Sequence, residues 1–242
     1  MNLKEKKILI TGAGTGMGQG CAIAFANQGC QVTVAGRRLE KLQETAELCR
    51  PATVLPHTVD VADRDNVNEL VAWATEKMGR IDILIHSAGV NIKQRSMLKM
   101  EPEEWDRVLA INATGPYNCM RAVLPQMRER ADGLIVNISS VAGKRASDLG
   151  GIAYCASKFA ATGLGTAAGL EEAARGIRIT NVYPGEVDTP LLEQRPNPVS
   201  DEHRQRMLKQ EDIAQVVLAI AQLPSRAHIP EVVVKPTVQN YS

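Results

Sequence analysis

Residues 8–18 read Ile8-Leu9-Ile10-Thr11-Gly12-Ala13-Gly14-Thr15-Gly16-Met17-Gly18, an apolar run followed by a glycine-rich segment. Its apolar start predicts a buried strand, its glycines predict a turn, and the apolar run Cys21–Ala26 that follows predicts a helix. Glycines let a backbone approach a pyrophosphate, and a helix N-terminus offers free N–H groups and the positive end of a dipole. The stretch therefore predicts a strand–turn–helix unit that binds a dinucleotide.

The spacing of these glycines distinguishes two dinucleotide-binding patterns. The general pattern GxGxxG fails when it starts at Gly12, because Met17 occupies the position of its last glycine. The pattern TGxxxGxG fits instead, from Thr11 to Gly18.

Short Val/Ile-rich segments alternate with helical stretches along the rest of the chain. The predicted strands are Lys7–Thr11, Gln31–Gly36, Thr53–His57, Ile81–Ser87, Leu134–Ser139, Ile177–Tyr183 and Glu231–Lys235. The predicted helices are Met17–Gly29, Leu39–Arg50, Arg64–Met78, Pro102–Arg130, Tyr154–Gly176 and Glu211–Leu223. This alternation predicts an α/β fold in which seven strands form one parallel sheet with helices on both faces. No linker or repeat interrupts it, so residues 1–242 are predicted to form a single domain.

Prolines mark a long connection near the end of the chain. Pro190, Pro196 and Asn197-Pro198 predict a loop over about residues 189–209. A loop of this length at the ligand-binding end of a sheet is predicted to be a substrate lid, with an ordinary connection as the alternative.

Tyr154 and Lys158 form a YxxxK pentad, and Ser140 lies fourteen residues before the tyrosine. Positions i and i+4 share a helix face, so the phenol and the ammonium are predicted to point the same way. An ammonium favours the phenolate, so Lys158 is predicted to lower the pKa of Tyr154 and fit it for acid–base chemistry. A serine hydroxyl can hold the same substrate oxygen by a hydrogen bond. The alternative for the pentad alone is a surface lysine beside a half-buried tyrosine.

Taken together in chain order, these motifs resemble the short-chain dehydrogenase/reductase family over nearly the whole chain. The marks are TGxxxGxG at Thr11–Gly18, Asp60-Val61, His86-Ser87-Ala88-Gly89, Asn112, Ser140, Tyr154/Lys158 and the run Pro184–Pro190. The resemblance implies a Rossmann-type, doubly wound sheet and a catalytic tetrad of Asn112, Ser140, Tyr154 and Lys158. It also implies that Asn112 kinks its helix and anchors a water in a proton relay. The family usually has Asn-Asn-Ala-Gly where this chain has His86-Ser87-Ala88-Gly89.

The resemblance also implies a set of cofactor-binding residues, among which Asp60 bonds the adenine and Lys158 holds the nicotinamide ribose. These are Gly12, Thr15, Gly16, Met17, Gly18, Arg37, Arg38, Asp60, Val61, Ser87, Ala88, Gly89, Tyr154, Lys158, Pro184, Gly185, Val187 and Thr189.

The end of the second predicted strand favours NADP(H) over NAD(H). NAD-binding relatives carry an acidic residue there that accepts the ribose 2′-OH, whereas a nearby arginine suits the 2′-phosphate of NADP. Here Gly36 occupies the acidic position, and Arg37 and Arg38 follow. Positive charge is unfavourable at a helix N-terminus, which favours an anionic partner over two merely solvated arginines.

The predicted activity is NADP(H)-dependent oxidoreduction of a small ketone or alcohol at a CH–OH group. The end of the chain resembles the branch with 3-hydroxy acid/serine dehydrogenases and broad carbonyl reductases, and a 3-ketoacyl reductase is the enzymatic alternative. A non-catalytic NADPH-binding regulator is disfavoured because Tyr154 and Lys158 are both intact. The segments expected to shape the substrate pocket are Lys93–Arg95, Lys144–Ile152 and Leu191–Arg206. Their basic residues hint at an anionic substrate, with surface charge as an equal alternative.

Composition limits the other partners. Lys plus Arg is 28 and Asp plus Glu is 27, a net charge of +1, so nothing indicates binding to nucleic acid or an anionic membrane. No apolar run approaches a membrane span, and Ile8–Ile10 is too short for a signal peptide. The five cysteines form no CxxC and the four histidines show no metal spacing, so reduced thiols, a cytoplasmic location and no metal are predicted. A small-residue helix face around Gly163–Gly169, together with the resemblance, predicts a homo-oligomer, most simply a tetramer, with packing on its own sheet as the alternative.

Overall fold

The computed structural model describes residues 2–239, in which seven parallel strands form one sheet. The strands are β1 (Lys7–Thr11), β2 (Gln31–Gly36), β3 (Val54–Thr58), β4 (Ile83–His86), β5 (Gly133–Ile138), β6 (Ile177–Pro184) and β7 (Glu231–Val234). Their order is β3-β2-β1-β4-β5-β6-β7, so the chain changes direction across the sheet between β1 and β4. A crevice forms at the carboxyl ends of the strands at such a switch point, and ligands bind there in open α/β sheets.

Eight α-helices connect these strands within the described residues. They are α1 (Gly16–Asn27), α2 (Leu39–Leu48), α3 (Arg64–Met78), α4 (Pro102–Leu109), α5 (Gly115–Arg130), α6 (Ile152–Glu172), α7 (Asp201–Arg206) and α8 (Gln210–Gln222). The predicted fold is confirmed: this is a Rossmann-type, doubly wound α/β structure.

Both faces of the central strands are buried, which explains the apolar runs of β1 and β4. Ile8 and Ile10 of β1 pack into the core beneath α1 and α8, while Leu9 points into the opposite core beneath α3 and α5. Side chains alternate between faces along a strand, so a strand covered on both sides needs apolar residues at every position.

Every predicted strand is present with ends shifted by at most two residues, but one long predicted helix is interrupted. In place of one helix over Pro102–Arg130, a π-helical segment, Ala110–Thr114, separates α4 from α5. Such segments add a residue to a helical turn and are frequent at functional sites. Asn112, which is not a favoured helix former, lies in this segment.

The predicted loop over residues 189–209 contains more regular structure than expected. Pro190–Gln194 forms a 3-10 turn and α7 follows, capped by the Ser200 hydroxyl, which accepts from the His203 amide. The segment returns to the sheet through a parallel bridge between Val187 and Leu208.

Two carboxylates that follow β6 bind basic residues of this segment. Glu186 accepts from Arg195 at 2.8 Å and lies 2.9 Å from His203 Nε2. Asp188 pairs with Arg204 at 3.1 Å and with Lys209 at 2.9 Å. The segment is therefore attached to the end of β6 by charge as well as by backbone bonds.

All five cysteines are free and buried. Cys21 lies on α1 and Cys119 on α5, on opposite sides of the sheet. Within residues 2–239, no helix combines the length and apolar character needed to cross a membrane.

Candidate functional site

Three glycines hold the loop after β1 close to its neighbours. Gly12 has a φ of 67°, and a Cβ there would lie 2.5 Å from the Ala88 amide nitrogen. Gly16 has a φ of 58°, and its Cβ would lie 3.1 Å from Thr189 Cγ2. A Cβ on Gly18 would collide with the Gly12 carbonyl oxygen. The loop therefore forms a narrow backbone cradle, and a side chain at any of these three glycines would crowd it.

This loop forms one wall of a cleft at the switch point, here termed the glycine-loop cleft. Predicted cofactor-binding residues that line it are Gly12, Thr15, Gly16, Met17, Arg37, Arg38, Asp60, Val61, Ser87, Ala88, Gly89 and Thr189. Gly18 does not line it, because Gly18 lies behind the loop and lets α1 start close to Gly12.

One end of the glycine-loop cleft is basic. Gly36 leaves the end of β2 without a side chain, and the exposed Arg37 and Arg38 follow it. Lys41, in the first turn of α2, also lines this end, with its Nζ 2.8 Å from Glu44. Lys41 was not among the predicted cofactor-binding residues. Its position in the predicted helix Leu39–Arg50, three residues after Arg38, could have indicated it. Among the described residues that line the cleft, Asp60 is the one carboxylate against the three basic residues Arg37, Arg38 and Lys41, so the basic end suits an anion.

Asp60 and Val61 follow β3, the strand that pairs with β2, and they also line the cleft. The Asp60 amide donates to Asn66 Oδ1 at 2.7 Å, and one carboxylate oxygen accepts from the Ala62 amide at 3.0 Å. Asn118 of α5 donates to the Val61 carbonyl at 3.0 Å. These bonds fix the loop and leave the second Asp60 oxygen without a hydrogen-bond partner among the described residues.

His86 replaces the first asparagine of the family's Asn-Asn-Ala-Gly loop. Its Nδ1 lies 2.9 Å from Thr11 Oγ1, which ties the ends of β1 and β4 together. Burial, with a smaller contribution from the charge of Lys158, lowers the pKa of His86 to about 3, so this ring is neutral near pH 7. The substitution changes how the strands are joined and leaves Ser87, Ala88 and Gly89 lining the cleft.

A second cavity, the tyrosine pocket, adjoins the glycine-loop cleft at Met17 and Thr189. Ser140 and Tyr154 line it together, and a hydrogen bond with Ser140 acts on the Tyr154 phenol. Ser140 also accepts from the Ala142 amide at 3.1 Å, which caps a 3-10 turn and fixes the hydroxyl at the end of β5. Pro184, Gly185, Val187 and Thr189 line the same pocket.

Lys158 lies behind Tyr154 on the same face of α6, as the spacing predicts. Its Nζ is 5.6 Å from the centroid of the Tyr154 ring and donates to the Ile138 carbonyl at 3.2 Å. The side chain is buried, and this burial lowers the pKa of Lys158 to about 8. The ammonium is therefore held in place but poorly solvated.

The predicted direction of the Tyr154 pKa shift is wrong for this structure. Burial raises the pKa of the phenol and outweighs the Ser140 hydrogen bond and the charge of Arg95, which both lower it. Lys158 has no resolved effect, since its Nζ lies beyond the ring face and bonds to Ile138. Spacing along a helix gives the shared face but not the cost of desolvating the phenol.

Asn112 is fully engaged by the loop that follows β4. Its Oδ1 accepts from the Val90 amide at 2.8 Å, and its Nδ2 donates to the Val90 carbonyl at 2.9 Å and to Ser157 Oγ at 3.0 Å. A Cβ placed on Gly89 would lie 3.5 Å from both Asn112 Oδ1 and Lys158 Nζ. Both polar atoms therefore lie close to Gly89. The π-helical segment thus brings Asn112 beside Lys158, although neither residue lines a cavity wall.

Two basic residues of the tyrosine pocket, Arg95 and Arg195, were named only as members of segments expected to shape it. Arg95 follows β4, and Arg195 follows the 3-10 turn Pro190–Gln194. Their convergence depends on how two loops fold over α6, and no local pattern indicates that. Within residues 2–239 no His, Cys, Asp or Glu cluster could hold a metal ion.

Comparisons with known proteins agree with this geometry. Residues 6–199 match the family model described as short chain dehydrogenase. The 3-oxoacyl-acyl-carrier-protein reductase of Thermotoga maritima is 35% identical over 229 residues, covering 91% of this chain and 92% of that protein. A metagenomic short-chain oxidoreductase solved in complex with NADP is 30% identical with a TM-score of 0.85, covering 99% of this chain and 100% of that one. A closed form of serine dehydrogenase complexed with NADP+ is 29% identical with a TM-score of 0.88, covering 97% and 96%. The glycine cradle, the converging Ser140 and Tyr154 and these matches together show that the chain belongs to the short-chain dehydrogenase family.

Proposed function

We propose that the protein is an NADP(H)-dependent oxidoreductase that interconverts a small carbonyl compound and its alcohol. The observation that carries the proposal is the meeting of Ser140 and Tyr154 in one pocket that opens onto the glycine-loop cleft. A cofactor bound along that cleft would have one end beside the phenol and the other beside the basic residues.

The chain's own residues fit NADP(H). The backbone cradle of Gly12 and Gly16 suits a pyrophosphate, and the free Asp60 oxygen suits the adenine amino group. Arg37, Arg38 and Lys41 suit the 2′-phosphate, with Gly36 leaving no carboxylate to repel it. The NADP named in the titles of two similar structures supports this choice.

When bound, the nicotinamide supplies or accepts a hydride at the substrate carbon. Tyr154 donates a proton to the substrate oxygen during reduction and removes it during oxidation. Ser140 holds that oxygen by a hydrogen bond from its hydroxyl. Lys158 would hold the nicotinamide ribose when the cofactor is bound. Asn112 keeps the loop after β4 and Lys158 in place and anchors the proton relay.

A small carbonyl compound or alcohol is the preferred substrate, and a 3-ketoacyl group is the second candidate. The Thermotoga relative, named as a 3-oxoacyl reductase, favours the second candidate, and the serine dehydrogenase neighbour favours the first. A regulator that binds NADPH without turnover is disfavoured, because the Tyr154 and Lys158 geometry is complete.

Assembly and location are parts of the same proposal. The outer side of α5 and α6 exposes Tyr117, Phe159 and Leu170, with Leu170 80% exposed, and Gly163 has open space above it. Gly165 and Gly169 instead pack inward against β6, as the alternative predicted. The exposed apolar side chains support a homotetramer through this face, and we place the protein in the cytoplasm.

The proposal is tested by NADPH oxidation with a panel of ketones, comparing wild type with Tyr154→Phe. We expect kcat to fall at least ~10²-fold, the lower range for general acid–base catalysis, while NADPH affinity stays the same. Tyr117→Phe is the matched control, since it removes a phenol hydroxyl from the exposed face of α5. Equal turnover by Tyr154→Phe and wild type would contradict the mechanism.

A further inference from the structure

Two arginines line the tyrosine pocket, but only one has a carboxylate partner. Arg195 donates to Glu186 Oε1 at 2.8 Å, and both side chains are largely buried. Glu186 also binds His203, so its charge is fully engaged. The positive charge of Arg195 is therefore balanced inside the protein.

Arg95 is held only by backbone carbonyls among the described residues. Its Nε donates to Ile92 at 2.6 Å, its Nη2 donates to Gln194 at 2.7 Å, and its Nη1 donates to Leu149. These bonds orient the guanidinium between three loops but do not cancel its charge. A guanidinium has five N–H groups, so two remain for a ligand.

The surrounding backbone is shaped to admit this side chain. Gly151 has a φ of 77°, and a Cβ there would lie 2.5 Å from Arg95 Cβ. Any other residue at position 151 would displace the arginine stem from the pocket. A local glycine and three carbonyls from separate loops thus hold the charge at a defined place.

The pocket leaves this charge poorly solvated. Burial, and then the nearby charge of Arg195, lower the pKa of Arg95. The charge of Arg95 in turn acts on the Tyr154 phenol, which places the guanidinium within electrostatic reach of the proposed proton donor. The charged side chains lining this pocket are Arg95, Arg195 and Glu186, so one positive charge remains unbalanced. An uncompensated, half-buried charge favours a ligand of opposite sign.

Building on the proposed function, we propose that the substrate carries a carboxylate that binds Arg95 while its carbonyl or hydroxyl group lies at Ser140 and Tyr154. The substrates are then small oxo acids and their hydroxy acids. One unbalanced charge matches a monoanion, and the planar guanidinium matches the geometry of a carboxylate. Arg95 acts as a specificity-determining residue.

The test compares acids with their neutral methyl esters as substrates, using NADPH. The pairs are pyruvate, acetoacetate and levulinate with methyl pyruvate, methyl acetoacetate and methyl levulinate. For the best pair we expect wild type to favour the acid by about tenfold or more in kcat/KM, the effect of one charge-assisted hydrogen bond. Arg95→Gln should lose that preference, so that its ratio of kcat/KM for the acid over that for the ester falls to about one.

Two further variants separate charge in the pocket from other effects. Lys93→Gln removes an exposed positive charge from the same loop outside the tyrosine pocket, and it should keep the acid preference. Arg95→Lys keeps the charge without the planar fork, and it should keep part of the preference even if Arg95→Gln folds poorly. An equal loss on acid and ester in Arg95→Gln, or a wild type that favours every ester, would overturn the proposal.

A binding experiment keeps this inference separate from the proposed function. Thermal shifts with NADP+ are measured with added butyrate or with its neutral analogue butyramide. We expect butyrate alone to stabilise wild type, and Arg95→Gln to lose that shift. If esters are reduced but acids are not preferred, the carboxylate site is wrong and the oxidoreductase stands. If no ketone is reduced but butyrate binds through Arg95, the proposed activity fails instead.

Discussion

Replacing Lys158 by methionine should remove activity and make the protein more stable at neutral pH. Lys158 is buried, its nearest polar partner is the Ile138 carbonyl, and burial lowers its pKa from 10.5 to about 8. A folded chain that must keep a poorly solvated ammonium protonated is destabilised relative to an unfolded chain with a hydrated lysine. Methionine fills similar space without a charge.

The size of the effect follows from the shift in pKa. A change from 10.5 to about 8 is about 2.5 units, and at ~1.36 kcal/mol per unit this gives ~3 kcal/mol. The sign is set by proton uptake. Between pH 8 and 10.5 the unfolded lysine keeps a proton that the folded one has lost, so wild type gains stability as pH rises. Below about pH 8 both states are protonated and the full destabilisation is present.

The assay is denaturant unfolding of wild type and Lys158→Met at one protein concentration, at pH 7, 8.5 and 10. The variant should be more stable at pH 7, and the advantage should shrink steadily towards pH 10. Lost packing or the lost bond to Ile138 would shift all three points equally, so the slope isolates the charge. Lys99→Met, on an exposed loop, controls for removing a lysine. A constant difference between Lys158→Met and wild type across this range would refute the reasoning.

Other changes test the cleft and the assembly. Gly36→Asp combined with Arg37→Ala should reverse the cofactor preference from NADPH to NADH by ~10-fold or more in kcat/KM, since each charge-assisted bond contributes ~1.5–3 kcal/mol. A wild-type enzyme that prefers NADH would contradict the proposed 2′-phosphate site. Gly12→Ala should lower the free energy of unfolding by ~1–3 kcal/mol and abolish NADPH binding, because its Cβ would press on the Ala88 amide at a positive φ. An unchanged NADPH affinity in a binding titration would show that the cradle tolerates a side chain. Leu170→Asp should dissociate the oligomer in light scattering, and a wild type that is monomeric at micromolar concentration would disprove the assembly.

Local patterns predicted most of the fold, because the central strands β1 and β4 are apolar runs buried on both faces and the other Val/Ile-rich segments alternate with helical stretches. The glycine loop was also predictable, since positive φ angles and close backbone contacts need glycine at Gly12 and Gly16. The interruption of the helix at Asn112 was implied by the family resemblance, whereas local patterns predicted one continuous helix over Pro102–Arg130. The bonds that Asn112 makes join it to Val90, which is distant in sequence. The same limit applies to Arg95, whose partners come from three loops.

The sequence also could not give the balance of energies at Tyr154. Its spacing from Lys158 correctly predicts a shared helix face, but the sign of the pKa shift depends on burial, which is a property of the assembled pocket. Similarly, the connection over residues 189–209 was predicted from its prolines, whereas its attachment through Glu186 and Asp188 depends on where β6 ends.

The buried cysteines can report when the helical layers separate from the sheet. Burial raises the pKa of Cys21 and Cys119 to about 12, so at neutral pH each carries on the order of a thousandfold less thiolate than an ordinary cysteine. Alkylating reagents should therefore modify them only when the surrounding layer detaches. Cys21 lies in the layer of α1 and Cys119 in that of α5. Mass spectrometry of the modified peptides would therefore give a separate modification rate for each side of the sheet. Equal modification rates would mean that both helical layers leave the sheet in a single cooperative event, and unequal rates would identify the layer that detaches first.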